Sequence, residues 1–110
     1  MLSQIKLVFR VDGDSALPLA LPGQTVLGGD PINTTQLAGL EGAIVGIATS
    51  DGGAYLKRVG PSLPGMRYAR MFEAIGGRGD SLVVKTENVE DKLTSVPVLV
   101  SCRRILGVLY

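Results

Sequence analysis

Ser15 and Lys57 are the two residues of this 110-residue chain whose types and setting could together perform chemistry. Ser15 follows the turn-forming residues Asp12-Gly13-Asp14, and Lys57 lies in the strand-like run 54–59. Because the chain contains no histidine, it cannot form a Ser-His-Asp triad, and a serine nucleophile would need a different base. A desolvated lysine is the known alternative. The sequence therefore suggests serine-lysine hydrolysis, provided that the fold brings the two side chains together.

The lysine of such a pair can accept a proton only when its amino group is neutral. Burial disfavours the ammonium form, and the pKa of a fully buried lysine can fall to about 5 or 6. Apolar residues surround Lys57 in the sequence, among them Leu56 and Val59. Backbone N–H groups at the turn that carries Ser15 could stabilise the oxyanion of a tetrahedral intermediate. Peptide-bond cleavage is the reaction that suits these groups.

Each of these residues also has an ordinary structural interpretation. A Gly-Asp-Ser sequence usually forms only a turn, and a lysine in a strand usually extends its amino group to water. A second copy, Gly79-Asp80-Ser81, also completes the tripeptide Arg78-Gly79-Asp80 known from cell-adhesion ligands, and we interpret it as a turn. Residue type alone therefore does not distinguish a catalytic Ser15 from a structural one.

Composition predicts a single small globular domain with no metal and no cofactor. The chain is 45% hydrophobic and 19% charged, and its length suffices for one core. The lone Cys102 has no cysteine or histidine with which to form a disulfide or a metal site, so we expect buried filler in a protein of the reducing cytoplasm. A net charge of +1 argues against direct nucleic-acid binding. No apolar run approaches the roughly 18 residues of a membrane span, which predicts a soluble, unexported protein.

The elements that must position Ser15 and Lys57 are predicted to be short strands, because 15 glycines and 6 prolines favour frequent turns. The predicted strands cover residues 5–11, 24–27, 43–48, 54–59 and 81–86, with one bent or two adjacent strands over 96–100 and 104–110. The predicted turns cover 28–31, 50–53 and 60–65. Residues 34–40 form one helical turn or a loop, and residues 66–75 form a helix or a strand. The fold class is therefore mostly β, with antiparallel strands in a partly closed sheet and at most one or two short helices.

Four sequence segments, taken in order, form a pattern that is more specific than any one of them. They are Phe9 to Pro18, Pro22 to Leu27, Gly42 to Ile47 and Tyr55 to Val59. The pattern resembles that of the LexA-type Ser-Lys autopeptidases, which include the C-terminal domains of LexA and phage lambda-type repressors and the UmuD mutagenesis protein. That family has a Gly-x-Ser-Met turn, a Pro-Gly-Asp step, a Gly-Asp-x-Val strand and a hairpin arm with Lys-Arg. The closing run Arg104 to Leu109 is also similar to the last strand of the family.

The resemblance implies that Ser15 is the nucleophile and Lys57 the general base. Three positions depart from the family pattern, because Ala16 replaces methionine, Gln24 replaces aspartate, and Ala43 stands where the Gly-Asp strand is expected. These departures concern the detailed shape of the site and leave both chemical groups in place. The implied protein is a LexA-like C-terminal domain over residues 1–110.

Such a domain forms a homodimer and cleaves the linker of a LexA-like or prophage transcriptional repressor, in response to a RecA-type co-protease filament. DNA binding belongs to an N-terminal helix-turn-helix domain, which is absent from this chain together with an Ala-Gly or Cys-Gly cleavage site before Ser15. We therefore expect a cleaved product or an isolated domain. Two alternatives remain open: a catalytically silent dimerisation module, and a stand-alone UmuD′-like accessory subunit of a polymerase. An upstream reading frame for a helix-turn-helix would separate the repressor from the accessory subunit.

Overall fold

The protein is mostly β in the computed structural model, which describes residues 7–10, 25–76, 81–88 and 95–109. The strands within these residues are β1 (Leu7–Arg10), β2 (Thr25–Pro31), β3 (Ile44–Thr49), β4 (Ala54–Leu63), β5 (Met66–Glu73), β6 (Leu82–Lys85) and β7 (Leu99–Leu109). A short 3-10 helix, Thr34–Leu40, connects β2 to β3. The predicted fold class, mostly β with at most one or two short helices, is confirmed.

All of these strands belong to one sheet in the order β1-β2-β7-β3-β4-β5-β6, and every neighbouring pair is antiparallel. The residues just before β7 form hydrogen bonds both with the edge strand β6 and with the end of β3. Val98 forms a parallel bridge with Lys85 of β6, and the Lys85 N–H donates to the carbonyl of Pro97 at 2.9 Å. The Ser50 N–H, at the end of β3, donates to the carbonyl of Val98 at 2.8 Å. The sheet is open, with β1 and β6 at its edges, and the segment before β7 adds a single bridge to β6.

The core lies against the middle of this sheet. Its buried members are Leu37, Val45, Ile47, Val59, Phe72, Val84 and Cys102. The near-continuous apolar run of β3 is buried as predicted, since every residue from Ile44 to Thr49 is buried or half-buried. Cys102 is 1% exposed and has no disulfide partner, which confirms its interpretation as buried filler.

The 3-10 helix contributes Leu37, which is fully buried, to this core. A capping box begins the helix: the Thr35 N–H donates to Asn33 Oδ1, and the Asn33 N–H donates to Gln36 Oε1 at 2.9 Å. These bonds satisfy backbone donors that a helix start leaves without intrahelical partners. No helix in the described part of the chain is long and apolar enough to cross a membrane.

Two predictions about element boundaries were wrong. The strand β2 continues to Pro31 through the predicted turn 28–31, because register shifts on either side of Gly28 absorb the glycines as bulges. The strand β4 likewise continues to Leu63 through most of the predicted turn 60–65. Residues 66–75, which the sequence assigned to a helix or a strand, contain the strand β5.

Candidate active site around Lys57

Lys57 lies in β4 and is only 7% exposed. Its cross-strand partner in β3 is Val45, which is fully buried. Successive side chains of a strand alternate between the two faces of a sheet, so Tyr55 and Val59 share the face of Lys57. Val59 is a core residue and Tyr55 packs against the core. The prediction that Lys57 lies beside a deeply buried strand is confirmed.

The β3–β4 turn fixes the register that sets Lys57 opposite Val45. The Thr49 N–H donates to the Gly53 carbonyl at 2.9 Å, which closes the hairpin. Within the turn, the Thr49 hydroxyl donates to Asp51 Oδ1 at 2.5 Å and the Gly53 N–H donates to the same oxygen at 3.1 Å. Two hydrogen bonds lower the pKa of the Asp51 carboxyl: the bond from Thr49 has the larger effect, and the bond from Gly53 has the smaller one. The predicted turn at 50–53 is therefore a hairpin turn held by its own aspartate.

The other buried charged residues among those described are Arg70 and Lys85. Arg70 has a clear structural role, because its Nη1 donates to the carbonyl of Gly60 at 2.8 Å and forms an ion pair with Glu41 at 3.2 Å. Lys85 lies in β6, where it forms the bridge to Val98 in the segment before β7. Lys57 lies on the same face of the sheet as the core residues Val45 and Val59, in the strands β3 and β4.

Two other kinds of reactive site find no support in the described residues. Burial raises the pKa of the Cys102 thiol to about 11, so the thiol stays neutral and is a poor nucleophile at neutral pH. Within the same described ranges, no group of three or more His, Cys, Asp or Glu residues is arranged to hold a metal ion. The candidate chemistry therefore centres on Lys57.

The predicted nucleophile, Ser15, lies outside the described residues, as do Ala16, Gln24 and the tripeptide Arg78-Gly79-Asp80. The strand that precedes Ser15, predicted over residues 5–11, is present as β1 and ends at Arg10. The pairing of Ser15 with Lys57 accordingly stays a prediction.

Arg104 is a residue near the candidate site that the sequence did not single out. Val45 pairs with Lys57 on one side and with Arg104 of β7 on the other, so the three residues form one row on one face of the sheet. Arg104 is exposed, and two strand spacings of about 4.8 Å separate its backbone from that of Lys57. Its position depends on the register between β3 and β7, for which the sequence has no local signal.

Comparisons of the chain with protein-family models, curated proteins and solved structures gave no match.

Proposed function

We propose that this chain is the dimerisation and self-cleavage domain of a LexA-like or prophage transcriptional repressor, located in the cytoplasm, with Ser15 and Lys57 as its catalytic dyad. The observation that carries the proposal is the burial of Lys57, 7% exposed, next to the core residues Val45 and Val59 of a mostly β domain. A buried ammonium group costs stability that an apolar side chain of similar volume avoids. A lysine at a position where an apolar side chain would serve for packing is our candidate for the proton acceptor of Ser15.

In the proposed reaction, Ser15 Oγ attacks the carbonyl carbon of a linker peptide bond while Lys57 Nζ accepts the hydroxyl proton. Backbone N–H groups near Ser15 stabilise the oxyanion that forms. The C–N bond then breaks, and the leaving amine takes the proton from Lys57. Water hydrolyses the resulting ester by the same proton transfers and regenerates the serine hydroxyl. The overall reaction consumes one water and needs neither a metal nor a cofactor.

Self-cleavage explains why dimerisation and hydrolysis would occur in one domain. Two linked DNA-binding domains engage both half-sites of an operator, which raises affinity without any contact from the dimerisation domain itself. Cutting the linker removes that gain. A RecA-type filament would act by stabilising the conformation in which the linker lies in the site.

Substitution of each dyad residue tests the proposal. The chain, joined to the protein segment encoded upstream of it, is incubated at alkaline pH and its fragments are followed by electrophoresis and mass spectrometry. We expect the wild-type chain to cut itself and both Ser15→Ala and Lys57→Ala to reduce the rate by at least about 1,000-fold, since either change removes a group that takes part in the reaction.

Two matched variants serve as controls. Ser81→Ala changes the serine of the second Gly-Asp-Ser sequence, and Lys85→Ala removes another buried lysine, which is 6% exposed. Both should cleave at rates close to wild type when circular dichroism shows them folded. If the wild-type chain stays intact, or if all the variants are cut alike, the domain is not an autopeptidase and the catalytically silent dimerisation module becomes the better description.

A further inference from the structure

Arg58, the residue directly after Lys57, connects three separate segments of the chain. Its Nη1 donates to the carbonyl of Gly42 at 2.7 Å, and its Nη2 donates to the carbonyl of Ile75 at 3.4 Å. Gly42 lies just before β3, and Ile75 lies just after β5. Because side chains alternate along a strand, the guanidinium lies on the face of β4 opposite to that of Lys57. Arg58 therefore restrains β4 from the face of the sheet opposite to the candidate catalytic lysine.

The backbone at the same point is held by two further bonds. The Gly42 N–H donates to the carbonyl of Val59 at 2.8 Å, and the Val59 N–H donates to the carbonyl of Ala43 at 2.9 Å. Gly42 has a φ of +90°, a conformation that residues with a Cβ rarely adopt. Two hydrogen bonds thus hold Gly42: its N–H donates to the carbonyl of Val59, and its carbonyl accepts from Arg58.

The requirement for arginine follows from the two directions in which Arg58 donates. A guanidinium has five N–H donors in a rigid plane, so two of its nitrogens can reach two carbonyls of different segments at the same time. Lysine carries one nitrogen on a flexible stem and cannot keep both bonds in this geometry. An Arg58→Lys variant therefore keeps the positive charge and loses the connection between the segments.

We infer that Arg58 is a positioning residue for Lys57, an inference that rests on the proposed function. Lys57 and Arg58 share a peptide bond, so restraint of Arg58 and Val59 also restrains the direction in which the Lys57 side chain leaves the backbone. A displacement of about 1 Å at a reacting group can reduce a rate by about 100-fold. Arg58 makes none of the reacting bonds and acts only through the backbone of its neighbour.

The test compares the self-cleavage of Arg58→Lys with that of Arg103→Lys. Arg103 is a matched control, because its Nη1 donates to the carbonyl of Gly29 at 2.8 Å, the same kind of bond made between β7 and β2. We expect Arg58→Lys to cleave at least tenfold more slowly than wild type at a temperature where both are folded, and Arg103→Lys to cleave at nearly the wild-type rate. Guanidinium ion at millimolar, non-denaturing concentration should partly restore cleavage by Arg58→Ala, whereas sodium chloride at the same concentration should not.

The outcomes separate this inference from the proposed function. In one outcome the wild type is cut, Arg58→Lys and Arg103→Lys lose cleavage rate only in proportion to their loss of stability, and guanidinium does not rescue Arg58→Ala. Arg58 is then merely structural, and the proposed autopeptidase function stands. If the wild-type chain is never cut while Ser15 and Lys57 are intact, the proposed function fails and the positioning role fails with it.

Discussion

Burial has different consequences for the individual reactive or charged residues of this protein. The buried guanidinium of Arg70 donates through its Nη1 to the Gly60 carbonyl and to the Glu41 carboxylate. Cys102 lies in an apolar cluster, where burial raises the pKa of its thiol to about 11. Lys57 lies in the same core region, and in our proposal it exchanges a proton with Ser15. The interior thus makes the thiol inert and, in our proposal, also holds the base.

The inertness of Cys102 leads to a prediction about alkaline stability. The folded state raises the pKa of this thiol from 9.0 to about 11, so as pH rises the unfolded chain releases the proton first. The contribution of the neutral thiol to the free energy of unfolding is complete below pH 9 and is lost between pH 9 and about pH 11. Over that range the free energy of unfolding falls by up to about 1.4 kcal/mol per pH unit. Urea unfolding at several alkaline pH values measures this slope, and Cys102→Ala should lack the contribution.

A thiol reagent supplies a second readout of the same state. Cys102 should react with Ellman's reagent only after denaturant is added, because the native residue is 1% exposed. Fast labelling of the native protein, or equal alkaline slopes in wild type and Cys102→Ala, would contradict the assignment of a buried neutral thiol.

At the level of elements, the hairpin of β3 and β4 was predictable, whereas the ends of β2 and β4 were not. The hairpin has a local signal, because Asp51-Gly52-Gly53 separates two apolar runs and can turn through its own hydrogen bonds. Glycine and proline at 28–31 and 60–65 give the same signal, yet residues 28–31 pair with the distant strand β7, and residues 60–63 extend β4 along the next strand, β5, in both cases across bulges. Residues 66–75 contain a strand and not a helix because β5 has a hydrogen-bonded strand on each side, β4 and β6.

The bulge of β4 makes Gly60 a position where a side chain is costly. A Cβ at Gly60 would lie 2.8 Å from the Met71 carbonyl oxygen, which belongs to the backbone of β5 and cannot swing away. Gly60→Ala should therefore destabilise the protein by about 1–3 kcal/mol. Chemical denaturation measures the change, and Gly39→Ala is the control because nothing lies within 4 Å of a Cβ there. Equal stability of the two variants would show that β4 and β5 separate easily at the bulge.

On the scale of the whole molecule, β7 is the strand that joins two parts of the sheet. It pairs with β2 on one side and with β3 on the other, over 11 residues. The mostly β class could be predicted from turn residues and strand-like runs, and the location of Lys57 beside a buried strand followed from the adjacent hairpin. The central position of β7, and with it the row from Lys57 through Val45 to Arg104, depends on pairings between distant residues that leave no local trace in the sequence.

The proposed homodimer makes a prediction about size in solution. The chain has a radius of gyration of 13.6 Å, whereas a compact homodimer should have one of roughly 17 Å by the usual scaling with residue number. We expect small-angle scattering to give the larger value at high protein concentration and a decrease towards the smaller one on dilution. Sedimentation velocity should show twice the monomer mass over the same range. A monomer at every concentration would contradict the dimerisation part of the proposed function.

The position of β7 also determines when the sheet can be completed during synthesis of the chain. Within the described residues, β7 is the strand that connects β1 and β2 with the other four strands, because it pairs with both β2 and β3. This strand leaves the ribosome after the other strands. Until β7 has emerged, the strand that leads to Ser15 has no sheet contact with the strand that carries Lys57. Under the proposed function, a nascent chain therefore could not cut itself before β7 has paired, which would delay self-cleavage until synthesis of the domain is nearly finished.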